Sequence, residues 1–208
     1  MSVEERRLKE KEERRRTIIA AAEKLFAREG FHNTTIEQVA ADIDLSKGTL
    51  YLYFQSKEEL FFSILEEKID NYAHHLKGRL AQCEDLKCTV NIAVSEQLKF
   101  LTENHHFFRL AVSESTKFEH KPSHEMRHSF IAKQVQLTTL LEKTFAAHMK
   151  QQSISGFKPK SLALSVNGAI NAHMMNWLIT GSKTNLEKVK NDILHILIYG
   201  CAGQANEE

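Results

Sequence analysis

Three helix-start signals lie close together within residues 34–60, TTIEQVAADIDLSKGTLYLYFQSKEEL. Thr34 or Thr35 can begin one helix, because each is followed after three residues by a Glu or Gln, which is the spacing of a capping box. Ser46 can begin a second helix and Ser56 a third. The signals lie so close together that the pattern predicts two short helices followed by a longer one.

The second short helix has distinct inward and outward faces. Leu50 and Phe54 lie four residues apart and can pack inward. Isolated helices shorter than about a dozen residues are marginal in water, so the two short helices need the long helices on either side as a scaffold. A second helix that is held rigidly and faces outward with polar residues is what a DNA-binding helix-turn-helix requires.

The outward side chains of this segment suit contact with DNA. Lys47 and Lys57 can meet phosphates, and Gly48 lets a DNA backbone approach closely. Thr49 can touch a base edge or a thymine methyl, and tyrosine hydroxyls can reach phosphates. A compact three-helix bundle with an aromatic surface is the alternative. The predicted DNA-contacting residues are Thr34, Thr35, Ser46, Lys47, Gly48, Thr49, Tyr51, Tyr53 and Lys57.

The rest of the chain predicts an all-α protein of about nine helices, because apolar residues recur at intervals of three and four. Only 2 Pro and 8 Gly interrupt the 208 residues. Gly30 predicts the end of the first helix, and Gly156 with Pro159 predicts a break before the last two. We expect an N-terminal helix-turn-helix DNA-binding domain of three helices over residues 1–56. Over residues 57–208 we expect a long helix that leads into a C-terminal antiparallel helical bundle for ligand binding and dimerisation.

Charge and composition narrow the possible partners and compartment. The formal net charge is +1, so a polyanionic partner must be recognised by a local surface. No apolar run approaches the roughly twenty residues that cross a bilayer, and the N-terminus lacks an apolar leader. We therefore expect a cytoplasmic protein without membrane contact. Three cysteines without a CxxC pair are expected to be reduced thiols.

No pattern of catalytic or cofactor-binding residues stands out. The sequence shows no Gly-rich phosphate loop, paired carboxylates or Ser/His/Asp order, so we predict neither an enzyme nor a cofactor. His120, His124 and His128 recur every four residues, and the last two would share a helix face able to hold a metal. Because no cysteine or clear carboxylate pair completes the ligand shell, we predict no metal site.

The order of motifs in residues 16–65 resembles the N-terminal domain of the TetR family of bacterial transcriptional regulators. The shared motifs are LFAREGF, the threonine pair, SKGTLYLYF and SKEEL. Asp44 stands where the family commonly has glycine, but Asp tolerates a left-handed turn position, so we expect an intact motif. The resemblance implies a homodimer that binds a palindromic double-stranded DNA operator. It also implies an apolar or amphipathic small-molecule effector that releases the protein, as in a repressor.

The resemblance further implies an effector pocket inside the C-terminal bundle and a dimer interface on the last two long helices. Both sets of candidate side chains can equally be ordinary bundle core. The pocket candidates are Phe107, Phe108, Met126, Phe130, Phe145 and Met174. The interface candidates are Val166, Ala169, Ile170, His173, Trp177, Ile193 and Leu197. The alternative function is a helical scaffold that binds protein partners, which would show no salt-dependent, sequence-selective DNA binding.

Overall fold

The all-α prediction is confirmed by the structure, a computed structural model. It describes residues 2–114, 124–180 and 185–200, without the side chains of 111–114, 124–127 and 130. Within these ranges the chain forms nine α-helices and no strand. The helices are α1 (Val3–Glu29), α2 (Ile36–Asp42), α3 (Lys47–Tyr51), α4 (Lys57–Leu80), α5 (Leu86–Glu103), α6 (His105–Glu114), α7 (His124–Gln151), α8 (Pro159–Thr180) and α9 (Leu186–Tyr199).

The helix ends follow local signals in the sequence. α1 begins with a capping box, in which Ser2 Oγ accepts from Glu5 N at 3.1 Å and Glu5 Oε2 accepts from Ser2 N at 2.7 Å. It ends at Gly30, whose φ of 85° is costly for a residue with a Cβ. α8 begins at Pro159, where the missing N–H is no loss in the first turn.

The chain divides into two compact units. Among the described residues, unit 1 comprises 2–69 with 124–130, and unit 2 comprises 70–114, 131–180 and 185–200. The boundary falls inside α4, which is one continuous helix. None of the described helices combines the length and the apolar character needed to cross a lipid bilayer.

An aromatic cluster holds the helices of unit 1 together. The ring centroids of Phe26 and Phe31 are 5.3 Å apart, and those of Phe31 and Phe61 are 5.4 Å apart. Leu50 and Phe54, predicted to face inward, are completely buried. Burying a side chain of this size contributes roughly 1.5–3 kcal/mol, so these contacts fix the short helices against the long ones.

Unit 2 is a helical bundle. α5 packs against α6, α8 and α9, and α8 packs against both α6 and α9. Its core includes the fully buried side chains of Val94, Phe145 and Ile170. The core is therefore shared between helices that lie far apart in sequence.

The turn between α4 and α5 corrects the expectation that all the cysteines are reduced. Cys83 and Cys88 form a disulfide, with Cα atoms 5.5 Å apart, which lies in the usual range for such bonds. The pair comes together because the chain reverses between the end of α4 and the start of α5. Asp85 completes the turn, since its Oδ1 accepts from Cys88 N at 2.6 Å.

Candidate nucleic-acid interface

α2 and α3 form a helix-turn-helix whose turn and caps match the sequence prediction. Thr35 Oγ1 caps α2 by accepting from Gln38 N at 3.2 Å. Asp44 adopts the predicted left-handed conformation, with φ of 52°. Ser46 Oγ then caps α3 by accepting from Thr49 N at 3.0 Å. The two caps and the turn set the direction in which α3 leaves the motif.

The first residues of α3 leave its backbone accessible. Lys47 and Gly48 are exposed, and Thr49 is half-buried. Thr49 Oγ1 lies 2.8 Å from Ser46 Oγ. A Cβ added at Gly48 would meet only Ser46 Oγ, at 3.9 Å, so packing within the chain does not require glycine there. Space over the helix backbone is what a closely approaching partner needs.

The exposed cation of α3 is paired with an acidic residue of α2. Lys47 Nζ forms an ion pair with Glu37. The hydrogen bond between them lowers the pKa of Glu37 and raises the pKa of Lys47. A phosphate must compete with Glu37 for this ammonium group. Sequence reasoning missed Glu37 as a surface determinant because it was read only as a possible capping partner.

The structure places two of the predicted DNA-contacting residues in supporting positions. Thr34 is 0% exposed and its Oγ1 donates to Gly30 O at 2.8 Å, so its side chain cannot touch DNA. Lys57 Nζ donates to Phe31 O at 2.8 Å and to Thr34 O at 3.0 Å, and it lies 4.4 Å from the centroid of the Phe31 ring. Lys57 therefore holds the loop between α1 and α2, and its contact with phosphate stays a prediction.

The end of α3 exposes Leu52, an apolar residue that sequence reasoning missed, beside the predicted Tyr51. Leu52 is 79% exposed and Tyr51 is 41% exposed, whereas Tyr53 is half-buried. Leu52 follows the buried Leu50 by two residues, which places it on the opposite side of a helical turn, so the signal was present in the spacing. An exposed leucine beside a recognition helix can contact thymine methyl groups.

The pocket candidates divide between the core and the half-buried surface of unit 2. Phe145 and Met174 are buried, and Phe107 and Phe108 are half-buried on α6. Phe108 packs edge-on against Phe100, with centroids 5.7 Å apart. The side chains of Met126 and Phe130 lie outside the described residues.

A cavity of about 330 Å³ opens elsewhere in unit 2. Lys87 on its wall donates to Tyr199 Oη at 3.1 Å, and Gln152 Oε1 accepts from Leu86 N at 3.1 Å. The cavity is mostly apolar, and none of the four pocket candidates with described side chains lines it. Its lining residues are Asp85, Leu86, Lys87, Val90, Gln152, Ile154, Phe157, Leu162, Leu197 and Ile198.

The interface candidates mix core and surface positions. Val166, Ile170 and Ile193 are completely or almost completely buried within the chain's own bundle. These three belong to the core and cannot form a dimer surface, because α8 and α9 turn them toward other helices of the same chain. The remaining candidates are the exposed His173 and the half-buried Ala169, Trp177 and Leu197.

A different face of α8 and α9 exposes large apolar side chains. On α8, Leu164 is 54% exposed, Met175 is 43% exposed and Ile179 is 69% exposed. On α9, Ile196 and Tyr199 are about half exposed. The five side chains define an apolar stripe, and large exposed apolar stripes mark interaction surfaces.

The described residues contain no group of three or more His, Cys, Asp or Glu side chains arranged as metal ligands. His120 and the side chain of His124 lie outside the described ranges. Of the three histidines that recur every four residues, only His128 has a described side chain, and it is exposed on α7.

Known proteins resemble this chain in the helix-turn-helix region and, at lower identity, along almost its whole length. Residues 18–64 match the model of "Bacterial regulatory proteins, tetR family". The fatty acid metabolism regulator protein of Bacillus subtilis (strain 168) is 23% identical over 195 residues, which cover 93% of this chain and 98% of that protein.

Solved structures share the fold at low identity. A FadR structure from Bacillus subtilis, in complex with stearoyl-CoA, has a TM-score of 0.69 at 20% identity and covers 88% of this chain and 97% of that one. Thermus thermophilus FadR, described as a transcriptional repressor in complex with lauroyl-CoA, has a TM-score of 0.67 at 18% identity, with 90% and 94% covered. The similarity extends through both compact units.

Proposed function

Because this chain belongs to the TetR family of bacterial regulatory proteins, we propose that it represses transcription by binding a palindromic operator as a homodimer and leaves the operator when it binds a long-chain acyl-CoA. The family membership makes it a DNA-binding, ligand-responsive regulator rather than a protein scaffold. The repression, the dimer and the identity of the effector are the parts that we propose. Its site of action would be the cytoplasm, where the operator lies.

The DNA-binding part of the proposal is supported by α3. Its exposed Lys47 and Gly48 and its half-buried Thr49 begin at a capped N-terminus that is held against a buried core. A short recognition helix presents its N-terminal residues to base edges in the major groove. The open space over Gly48 is the single observation that carries the assignment, since nothing inside the chain uses it.

The choice of effector is supported by the relatives. Two of the FadR structures to which this chain is similar contain stearoyl-CoA and lauroyl-CoA. Unit 2 offers aromatic and apolar side chains from α5, α6 and α8 that can surround an acyl chain. α4 joins the two units as one helix, so a ligand that favours one position of its second half shifts the DNA-binding half as well.

The proposed dimer uses the apolar stripe of α8 and α9. One short recognition helix reads few base pairs, and two helices held about 34–36 Å apart read two half-sites in successive major grooves. A two-fold interface requires a surface that can pair with itself. The stripe supplies apolar anchors on two neighbouring helices, with Ile179 as its most exposed member.

Release from DNA tests the proposed effector. The purified protein is bound to a fluorescent fragment that contains its selected site, and anisotropy is followed as palmitoyl-CoA is added. We expect release at micromolar concentrations or below, because a ligand that prefers one state by a few kcal/mol shifts the population by two or more decades. Free CoA and free palmitate are the matched controls, and each should leave the complex intact.

Two outcomes would contradict this proposal. Release by palmitate or by CoA alone at the same concentration would show that the thioester is not what the protein recognises. Tighter binding in the presence of palmitoyl-CoA would show that the ligand acts as a corepressor and not as an inducer.

A further inference from the structure

The hydroxyl of Tyr72, in the second half of α4, is buried and has no hydrogen-bond partner among the described residues. The residue is 7% exposed. Its ring stacks on Phe100 of α5, with centroids 4.5 Å apart and planes inclined by 13°. Proteins leave only a small share of buried polar groups unpaired, because such a group loses its bonds to water and gains none in return.

The nearby carboxylate of Glu96 is already occupied. Its Oε1 accepts from Arg79 Nε at 3.1 Å, and its Oε2 lies 3.2 Å from His75 Nε2. Burial, together with the negative charge of Glu96, raises the pKa of Tyr72 well above its ordinary value. The phenol therefore stays protonated and can donate a hydrogen bond at any physiological pH.

We propose that the Tyr72 hydroxyl donates a hydrogen bond to the thioester carbonyl oxygen of the acyl-CoA effector, an inference that rests on the proposed function. The surroundings favour a neutral acceptor. The ring of Phe100 covers the ring of Tyr72 and packs in turn on Phe108, which makes the surroundings apolar. The charge of Glu96 opposes a second carboxylate. A thioester carbonyl is a neutral acceptor that carries an apolar chain on one side.

The position of Tyr72 gives the contact a role in the response. It lies in the same continuous helix as Lys57, which holds the loop that precedes α2. A hydrogen bond formed only when ligand is present favours one position of this helix over others. Tyr72 is thus placed both to recognise the acyl carbonyl and to bias the helix that leads to the DNA-binding unit.

The test combines a protein change with a ligand change. Tyr72→Phe keeps the ring and removes only the hydroxyl, and S-hexadecyl-CoA is the thioether that resembles palmitoyl-CoA but lacks the carbonyl oxygen. Binding is followed by fluorescence of Trp177, the only tryptophan of the chain, and independently by release from DNA. We expect Tyr72→Phe to weaken palmitoyl-CoA binding about tenfold and to leave S-hexadecyl-CoA binding unchanged.

Stability and a matched variant separate a ligand contact from a structural role. Ligand-free Tyr72→Phe should melt at the same temperature as the wild type or higher, because the hydroxyl it removes has no partner. Thr139→Val on α7 is the control, since it removes a hydroxyl that already donates to Val135 O at 2.8 Å, and it should bind both ligands as the wild type does.

Three other results would contradict the proposed hydrogen bond between Tyr72 and the thioester carbonyl. A lower melting temperature for ligand-free Tyr72→Phe would assign the hydroxyl to a structural water. Equal weakening for both ligands would mean that the carbonyl is not its acceptor. If the wild type and Tyr72→Phe release DNA at the same concentration of palmitoyl-CoA, the contact alone is overturned. If palmitoyl-CoA does not release the wild type from DNA, the proposed function is overturned too.

Discussion

At the level of single residues, a substitution at Gly48 should change DNA affinity without lowering the stability of the fold. Alanine is about 1 kcal/mol more favourable than glycine inside a helix, and a Cβ at this position meets no close neighbour. Gly48→Ala should therefore fold with equal or higher stability and bind the operator at least tenfold more weakly, because the methyl group occupies the space that the DNA backbone needs. Thermal melting and anisotropy titration of one preparation measure both effects.

Gly78, near the end of α4, provides the matched control for that change. It is an exposed helical glycine with open space around its Cα, so Gly78→Ala should gain stability in the same way and keep its DNA affinity. If Gly48→Ala binds DNA as tightly as the wild type, α3 does not approach DNA through this position.

Breaking the ion pair between Lys47 and Glu37 should raise the affinity for DNA, whereas Gly48→Ala should lower it. Glu37→Gln removes a negative charge from the DNA-facing surface and frees the ammonium of Lys47, so binding to all sequences should tighten about threefold. Because the pair lowers the pKa of Glu37, the wild-type carboxylate stays charged through neutral pH. The gain should persist there and shrink only in acid, where the wild-type Glu37 also becomes neutral. Anisotropy titrations at several pH values measure this, and a loss of affinity would contradict it.

At the scale of helices and loops, Lys57 connects the start of α4 to the loop before α2. Lys57→Met keeps the apolar stem and removes the donors to Phe31 O and Thr34 O. Stability should fall by about 1–3 kcal/mol, the usual cost of leaving such groups without partners. Urea unfolding measures the change. Lys47→Met, on the exposed face, should unfold like the wild type while it weakens DNA binding.

A different result for Lys57→Met would indicate that Lys57 contacts DNA directly. If Lys57→Met unfolds like the wild type but weakens binding to all sequences and flattens the salt dependence by about one unit, its main contact is a phosphate.

The local signals in the sequence predicted the helices better than they predicted the contacts between them. The caps at Thr35 and Ser46 and the turn at Asp44 depend on neighbours within a few residues, so the spacing sufficed. The roles of Thr34 and Lys57 depend on carbonyl groups that folding brings close, and Lys57 and Phe31 are 26 residues apart. No pattern of spacing reports such a contact.

The last two helices show why an interface is harder to predict than a core. α8 carries apolar residues on several faces, so periodicity could not tell which face turns inward. Val166 and Ile170 proved to be core, whereas Leu164 and Met175 are exposed. Only the packing of α8 against α5, α6 and α9 decides between these faces.

At the level of the whole molecule, the exposed stripe predicts a dimer that a single charged substitution in the stripe should dissociate. Ile179→Lys places an ammonium group in the proposed interface, and burying it there without a partner is costly. The variant should elute as a monomer in size-exclusion chromatography with light scattering, where the wild type elutes as a dimer, and it should lose operator affinity more than a hundredfold.

Ile131→Lys is the control for the dimer prediction, because Ile131 is 59% exposed and lies on α7, a helix that contributes no residue to the stripe. It should remain dimeric and bind the operator normally. A wild type that elutes as a monomer, or an Ile179→Lys variant that remains a dimer, would contradict the assignment of the interface.

Selection of bound sequences from randomised DNA, followed by titration of the enriched site at two salt concentrations, shows whether α3 reads an operator. We expect an inverted repeat whose half-sites lie about 34–36 Å apart, one turn of DNA, with affinity that falls steeply as salt rises. Gly48→Ala should fail to enrich this site, and Gly78→Ala should enrich it. Binding without any enriched sequence, or an enriched site that Gly48→Ala selects equally well, would contradict the claim that α3 reads the operator.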